Sequence, residues 1–422
     1  MIAAAAERSD VFLPCVSDHA HAVAGALRAH GFDAMVLPPP DDESLAIGRE
    51  LCRGRECLPC FLCTGDFVRL CRSPDFPRRR AVLFMPTGPG PCRFGQYHVL
   101  QRQILAEEGF GDVPLVSPTT DDSYALFGDD PVGLRKLAFQ GIVAVDLLAR
   151  LLHEHRPYEE RPGACDRAYE DGLGAVVRAT EDGGGPAIVR ALEEAAARFR
   201  ALPCRSPGSR PLVAIMGEIY LMLNARSNLD LVRAVEGAGG EVLLGTFTDW
   251  LLFVDHTRKE RSLDERRYRD YVSALASDAY QRWIVRRFLA AVRPALRHPP
   301  DAPVAKATRL LRFCYDPTLG TEAVLTMSRL LDVSRHGVSG IVNVLPFSCM
   351  PGMIVMSMAH KLRDRMGGVP WLDVAFDGQR ETNLHTRLGA FMHQALQFHR
   401  QRATPEAACP RSSAVRRAGE AR

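Results

Sequence analysis

Residues 340–351 have the sequence GIVNVLPFSCMP, in which a mostly apolar run leads into a cysteine beside two prolines. The length of the run and its valine and isoleucine content predict a buried strand. Pro346 ends the strand, and Cys349 lies where the next helix would begin. In open α/β sheets, ligands bind at the carboxyl edge, where strands end and helices begin. This segment therefore predicts an α/β fold with a site at the edge of a sheet.

Other apolar runs of strand length lie along the chain and are separated by helical patterns. The predicted strands are 11–14, 34–37, 81–85, 114–117, 212–216, 241–244 and 371–374. Strands that alternate with helices at this spacing predict parallel, doubly wound sheets. Residues 131–201 are instead rich in Ala, Leu, Arg and Glu with helical periodicity, and 263–296 form a second long helical segment. We therefore expect two α/β halves, a helical connector between them, and a helical insertion.

Changes in composition divide the chain into four parts. An N-terminal α/β domain, which contains Cys57 and Cys92, covers 1–130. A helical connector and linker covers 131–210, and a C-terminal α/β domain, which contains Cys349, covers 211–403. The remaining residues, 404–422, are rich in Ala, Arg and Ser, and we expect a disordered tail there.

The composition is that of an ordinary globular protein, with 46% hydrophobic and 24% charged residues among 422. The formal charge of +3, from 53 basic and 50 acidic residues, gives no reason to expect a nucleic-acid partner. No apolar run reaches about 18 residues, so the sequence predicts no membrane span. The apolar part of the start, MIAAAAERSD, is too short for a signal peptide. We therefore expect the protein in the cytoplasm.

Twelve cysteines are too few to form a disulfide scaffold in a chain of this size. In a cytosolic protein, clustered thiols more often bind metal or carry out redox chemistry. Cys57, Cys92 and Cys349 share one context, because each lies beside proline or glycine at a predicted strand-to-helix junction. Helix N-termini at such junctions lower the pKa of a thiol and favour the thiolate, the form that binds metal. These three residues are therefore candidate ligands.

Other interpretations of the cysteines and of one carboxylate stay open. Free cysteines are often buried as small apolar side chains. Cys57, Cys60 and Cys63 form a CxxCxxC run that permits a zinc site or a redox pair, although no second compact pair at zinc-site spacing follows. Glu218 closely follows the predicted strand 212–216, so it is either a candidate acid–base residue or a helix cap.

Several motifs occur in a definite order along the chain. They are GRECLP at 54–59, GPCRFGQY at 90–97, GEIY at 217–220, the asparagines at 224 and 228, PFSCMP at 346–351, DG at 377–378 and the segment 383–391. Together they resemble the D-component family of 2-hydroxyacyl-CoA dehydratases and benzoyl-CoA reductases. The resemblance is closest to the dehydratase-like segment of acyl-CoA dehydratase activase-related proteins. It extends from the first predicted strand to near residue 399.

This resemblance implies two Rossmann-like halves with a [4Fe–4S] cluster in the cleft between them. Cys57, Cys92 and Cys349 match the ligand motifs, which leaves one iron open to water or substrate. An open iron acts as a Lewis acid while the cluster supplies an electron. The implied activity is that of a lyase or an oxidoreductase on a CoA thioester or another small molecule. Cys60 and Cys63 depart from the family pattern, so Cys60 is a candidate extra ligand, and a larger cluster, as in double-cubane relatives, stays open.

The resemblance also implies a protein partner. The dehydratases receive their electron from a dimeric, ATP-hydrolysing activator that carries its own iron–sulfur cluster. Because this chain lacks the phosphate-binding loop GxxxxGK(S/T), we expect the activator to be a separate protein. A second dehydratase-like subunit or a homodimer is the other expected partner. Two further functions stay open, namely a non-catalytic electron or cluster carrier and a structural zinc protein.

Overall fold

A computed structural model describes residues 10–88, 90–118, 129–379 and 383–403. The predicted tail at 404–422 lies outside these residues. The described chain contains two four-stranded sheets in which every strand pair is parallel. The predicted α/β class with two doubly wound halves is therefore confirmed.

The N-terminal sheet has the strand order β2-β1-β3-β4. Its strands are β1 (Asp10–Leu13), β2 (Asp33–Val36), β3 (Ala81–Phe84) and β4 (Leu115–Val116). Its helices are α1 (His19–Ala29), α2 (Asp42–Leu51), α3 (Leu58–Arg72) and α4 (Tyr97–Glu107). Because all four strands run in one direction, the loops that follow β1 and β3 leave the same edge of the sheet.

Three long helices form the predicted connector. They are α5 (Pro131–His155), α6 (Ala164–Glu181) and α7 (Pro186–Ala201). The side chain of Asp130 caps α5 by accepting a hydrogen bond from the backbone N–H of Gly133. The apolar side of α5 packs against α1 of the first domain and against both other connector helices. The connector is therefore part of the packed structure and not an extended linker.

The C-terminal sheet has the strand order β6-β5-β7-β8. Its strands are β5 (Leu212–Gly217), β6 (Glu241–Leu244), β7 (Gly340–Pro346) and β8 (Trp371–Phe376). The helices of this half are α8 (Ile219–Leu223), α9 (Leu231–Gly237), α10 (Phe247–Asp264), α11 (Tyr268–Val292), α12 (Val304–Arg309), α13 (Glu322–Val333), α14 (Met350–Arg365) and α15 (Leu384–Ala403). Within the described ranges, no helix is both long and apolar enough to cross a membrane.

The predicted insertion corresponds to α10 and α11. It begins at Phe247 and not at residue 263, because Thr246 caps α10 by accepting a hydrogen bond from the backbone N–H of Asp249. Such a cap gives a partner to a backbone N–H group of the first turn, which has none inside the helix. A helix can therefore begin at a capping residue even where the spacing of apolar residues does not mark its start. The earlier start brings the first turn of α10 next to the loop after β1, where the rings of Phe247 and His19 are in contact.

Strand β7 shows why helices cover both faces of the C-terminal sheet. All seven of its residues are buried. Ile341 packs on one face in the apolar cluster that contains α13, whereas Val342 and Val344 pack on the other face with α15. A strand buried on both faces carries apolar side chains at nearly every position. This is why the sequence of β7 lacks the alternation of a half-exposed strand.

Helices α2 and α3 are in close backbone contact, which two glycines permit. A Cβ atom on Gly48 would lie 2.0 Å from the carbonyl oxygen of Phe61, and one on Gly65 would lie 1.8 Å from that of Ser44. Neither position has room for a side chain. Helix α3 also belongs to an apolar core that contains strand residues of both sheets. The crossing of the two helices therefore holds α3 between the two halves of the molecule.

Replacing Gly65 with alanine is expected to lower the free energy of unfolding by about 3 kcal/mol, because the new methyl group would overlap the backbone of α2. Gly389→Ala is the matched control, since Gly389 also lies inside a long helix but nothing lies within 4 Å of where its Cβ would be. Alanine there should raise stability by about 0.5–1 kcal/mol. Chemical denaturation measures both effects, and equal effects would contradict the close crossing.

Candidate functional site

Cys57, Cys92 and Cys349 each precede a helix or a helical turn. Cys57 is the N-cap of α3, Cys349 is the N-cap of α14, and Cys92 is the N-cap of a 3-10 turn, Arg93–Gln96, that leads into α4. The predicted strand-to-helix junction is correct for Cys92 and Cys349, which follow β3 and β7. It is wrong for Cys57, because α2 and not a strand precedes it. The crossing of α2 and α3 brings this thiol to the site.

Arg93 connects the loops that carry the three cysteines. Its Nη1 donates hydrogen bonds to the carbonyl oxygen of Arg55 at 2.8 Å and to Oγ of Ser348 at 3.3 Å. All three of these residues lie within two positions of a candidate cysteine. The charge of the Cys57 thiolate also raises the pKa of the other two thiols, so the three lie within electrostatic range of one another. One side chain thus joins loops that lie 38 residues before it and 255 residues after it in the sequence.

Burial favours the neutral form of the three thiols. It raises the pKa of Cys57 to about 11 and that of Cys349 to about 12, and it raises the pKa of Cys92 well above its ordinary value. A hydrogen bond between Tyr97 and the sulfur of Cys57 offsets part of that shift, whereas the Glu218 carboxylate adds to it. The prediction that helix N-termini lower these pKa values is wrong, because loss of water penalises a thiolate more than the helix dipole favours it. Metal binding would therefore release protons from the thiols.

The two extra thiols of the CxxCxxC run have different surroundings. Cys60 is fully buried, its sulfur is 4.0 Å from Oγ1 of Thr64, and it forms a hydrogen bond with Cys52 that lowers the pKa of Cys52. Cys63 lies one turn further along α3 and lines the same cavity as Cys92. A ligand role for Cys60 stays a prediction, and the structure gives Cys63 the more suitable position.

A cavity of about 550 Å³ lies beside the cysteines and is lined by residues of both halves. Cys63, Cys92 and Cys349 form part of its wall, which is otherwise mainly apolar. Its polar groups include the carboxyls of Glu218 and Glu322. A cavity of this size, with an apolar wall and a few convergent polar groups, is typical of small-molecule sites.

Glu218 is a helix cap, one of the two roles that its sequence position allowed for, and its acid–base role stays a prediction. Its carboxylate caps α8 by accepting hydrogen bonds from the backbone N–H groups of Tyr220 at 3.1 Å and Leu221 at 3.0 Å. It also lines the cavity near the thiols. Burial raises the pKa of Glu218 to about 7, against the effect of the two backbone hydrogen bonds, and the Glu322 carboxylate raises it further. A carboxyl group with this pKa can exchange protons at neutral pH.

The structure adds two residues to the site that had no assigned role. Tyr97 lies inside the GPCRFGQY motif, so its position near Cys92 in the sequence could have marked it as a site residue. Its ring packs edge-on against Phe94. Glu322 begins α13 and had no such signal. Its buried Oε2 has no hydrogen-bond partner within the part of the chain that the structure describes. Only the fold brings this carboxyl within electrostatic range of Glu218, on the wall of the same cavity.

Within the described ranges, no group of three or more His, Cys, Asp or Glu side chains is arranged to hold a metal ion. No protein-family model matches the chain, and no curated protein matches it in sequence. The convergence of the cysteine loops and the adjoining cavity are thus the features from which a function has to be inferred.

Replacing Glu218 with glutamine is expected to remove one pH-dependent contribution to stability. The folded protein, in which the pKa of Glu218 is about 7, keeps a proton that the unfolded chain releases near 4.5. This contribution is complete below the unfolded value and is lost as the pH rises through 7. From about pH 5 to about pH 8 the parent should lose about 2 kcal/mol relative to the variant. This is less than full linkage predicts, because the Glu218 side chain is only partly buried.

Chemical denaturation at both pH values measures this difference. Glu50→Gln, at an exposed position of α2, is the control and should leave the pH dependence of the parent unchanged. The same pH dependence in Glu218→Gln and the parent would contradict a raised pKa at Glu218.

Proposed function

We propose that this chain is an iron–sulfur protein in which Cys57, Cys92 and Cys349 hold a [4Fe–4S] cluster. The cluster would deliver low-potential electrons to a small molecule or CoA thioester in the adjoining cavity. The observation that carries the proposal is that the loops of the three cysteines meet at Arg93 beside this cavity. The order of the sequence motifs independently favours the same chemistry.

The residues present fit such a cluster in number and in type. Three thiolates are soft ligands of the kind that iron–sulfur clusters require, and they leave one iron exchangeable. Tyr97 can donate its hydroxyl hydrogen to a Cys57 thiolate, and the positive charge of Arg93, which lowers the pKa of Cys57, would lie near the bound cluster. Hydrogen bonds and charge next to the sulfurs are among the factors that set a cluster's reduction potential. When bound, the cluster would supply one electron and a Lewis-acidic iron.

The chain itself would supply proton transfer and exclusion of water. Glu218 faces the cavity with a pKa near the physiological range, so its carboxyl oxygen can give a proton to a leaving hydroxyl and take one back. The apolar wall favours the uncharged part of a substrate and keeps water away from a reduced intermediate. Dehydration or reduction of a small molecule is the reaction class that this arrangement supports best.

An exposed apolar patch beside Cys349 supports docking of an electron donor. Phe347, Met350 and Met353 are 68%, 36% and 54% exposed, respectively. Electron transfer requires only a small, transient contact. We propose that a separate ATP-dependent activator with its own cluster docks here, and that a second dehydratase-like subunit or a second copy of this chain is a further partner. All described cysteines are free thiols, which fits a reducing cytoplasm.

A second candidate function is electron or cluster transfer without catalysis. It is favoured by Cys63, which lies on the same cavity wall as Cys92 and Cys349. If the Cys63 thiolate filled the exchangeable position of the cluster, no iron would be open to a substrate. The cluster would then act only as an electron carrier.

Serine at Cys57, Cys92 or Cys349 is expected to remove most of the bound iron, because a hydroxyl group is a poor substitute for a soft thiolate. Iron and acid-labile sulfide are measured after anaerobic purification, together with the EPR spectrum of the reduced protein. Cys314→Ser, at a partly exposed thiol away from the cavity, is the matched control and should keep the iron content of the parent.

The same measurements distinguish the alternatives. Iron loss in Cys63→Ser as well would favour the closed cluster of an electron carrier, and loss at Cys60 too would favour a larger cluster. Zinc without sulfide in the parent protein would refute the cluster. Iron content that is unchanged by serine at the three proposed ligands would refute their assignment.

Anaerobic reduction of the cluster is expected to require both the activator and hydrolysable ATP. Phe347→Glu should slow this reduction about tenfold by placing a charge in the docking surface. Tyr268→Glu is the matched control, because Tyr268 is similarly exposed but lies on α11. EPR after rapid freezing measures the rate of reduction. Complete reduction by a ferredoxin without ATP would refute the activator mechanism and favour the carrier.

A further inference from the structure

Ser17, His19 and Asp146 form a linear hydrogen-bonded chain at the cavity. Oγ of Ser17 lies 2.9 Å from Nδ1 of His19, and Nε2 of His19 lies 2.9 Å from Oδ1 of Asp146. All three side chains are buried. Ser17 and His19 are on the cavity wall, and Asp146 on α5 lies behind them. This arrangement has the order of groups that activates a serine hydroxyl in acyl-transfer enzymes.

The direction of each hydrogen bond follows from the chemistry of the groups. The Asp146 carboxylate can only accept, so Nε2 of His19 carries a hydrogen. In a neutral imidazole the other nitrogen, Nδ1, then has a free lone pair and accepts. When His19 is neutral, which is the form that can act as a base, the hydroxyl group of Ser17 therefore donates to Nδ1. The Ser17 oxygen does not use its lone pairs in this hydrogen bond, so they are available for attack on a substrate. His19 is positioned to take the hydroxyl proton.

Neighbouring backbone and side-chain groups hold Ser17, His19 and Asp146 in place. The Asp146 carboxylate also accepts hydrogen bonds from the backbone N–H groups of Phe247 at 3.1 Å and Thr248 at 2.8 Å, at the start of α10. The hydroxyl of Tyr169 donates to Asp18 at 2.6 Å, which anchors the turn between Ser17 and His19. Three elements from different parts of the chain thus fix one imidazole ring. A ring held in this way meets the requirement that a general base be oriented before the reaction.

We propose that Ser17 is a nucleophile for hydrolysis of carboxylic esters with an apolar acyl group, activated by His19 and oriented through Asp146. Ser17 Oγ forms a bond to the carbonyl carbon of the ester while its proton passes to Nδ1 of His19. The bond from that carbon to the leaving oxygen then breaks, and His19 returns the proton to the departing alcohol. Water attacks the acyl-serine with His19 again as base, and releases the carboxylic acid and the free hydroxyl of Ser17.

The surroundings favour this substrate class. The cavity wall next to Ser17 is formed largely by apolar side chains, which suits an apolar acyl chain. Arg135, Lys136 and Arg258 also line the cavity and would attract an anionic group on the alcohol part. The N-terminus of α1 begins at His19, next to the hydroxyl, and its dipole would favour negative charge on the carbonyl oxygen. None of these steps uses a metal or the thiols.

The test is covalent labelling of the full-length protein with a short-chain alkyl fluorophosphonate, followed by intact mass measurement and peptide mapping. One adduct per chain on Ser17 is expected, together with hydrolysis of p-nitrophenyl butyrate. Ser17→Ala should abolish both. His19→Ala should slow labelling about 100-fold or more, and added imidazole should restore part of it, which a merely structural histidine would not allow. Ser328→Ala is the control, because this buried hydroxyl donates to the carbonyl oxygen of Val324 and has no such imidazole.

The proposal is overturned if no adduct forms, if the adduct maps to another residue, or if His19→Ala is labelled at the rate of the parent. Mapping of the adduct on the parent protein needs no variant, so the outcome is decisive even if a variant fails to fold. Thermal unfolding of each variant shows whether a lost rate reflects lost structure. Because ester hydrolysis by Ser17 involves no iron, the outcome of the labelling experiment does not depend on whether the protein binds a cluster.

Discussion

The close crossing of α2 and α3 is the constraint on which the arrangement of the cleft depends. Gly48 and Gly65 let the two backbones touch, because a Cβ at either position would overlap a carbonyl oxygen of the facing helix. Helix α3 is thereby held against both sheets in one apolar core. Its N-terminal cysteine, Cys57, then faces the loops that follow β3 and β7. If the helices stood further apart, the carboxyl edges of the two sheets would not share a site with this thiol.

Loss of water is the dominant electrostatic effect at the site. Burial raises the pKa values of the thiols and of Glu218, so the cleft favours neutral groups over anions. Burial destabilises the thiolate form but suits chemistry that exchanges protons. Each group gives up its proton only when a positively charged partner, such as a metal, binds to it. The same burial strengthens the hydrogen bond between Tyr97 and the sulfur of Cys57, whereas Arg93 is exposed and its charge is screened by solvent.

Asp146 shows that the connector has a positioning role. It lies in the middle of α5, binds His19 at the start of α1, and caps the start of α10 through two backbone N–H groups. A single carboxylate therefore joins the N-terminal domain to the insertion of the C-terminal domain. The amide of Asn224 adds a second such link, since it donates to the carbonyl oxygens of Cys15 and Val16 after β1. The cavity lies between these contacts, so its shape follows from how the two halves are joined.

The sequence by itself determined the fold class and most of the element positions. Apolar runs such as that of β7 and the helical periodicity of the connector are local patterns, and they predict local structure because each element must bury its own apolar side. Cys57, Cys92 and Cys349 could be grouped because each has proline or glycine beside it before a helix. The start of the insertion was missed because a single polar cap, Thr246, sets it without a change in periodicity.

Only the tertiary structure decided which of these groups meet and which protonation states they favour. Contacts between residues far apart in sequence bring Cys57, which lies between α2 and α3, to the site. Such contacts also give Tyr97 its hydrogen bond to Cys57 and bring Glu322 near Glu218. The raised thiol pKa values also come from tertiary burial, which outweighs the helix N-termini visible in the sequence. The same holds for Ser17, His19 and Asp146, of which the last is 127 residues from the histidine it binds. Distance and desolvation are properties of the packed chain, and local patterns do not encode them.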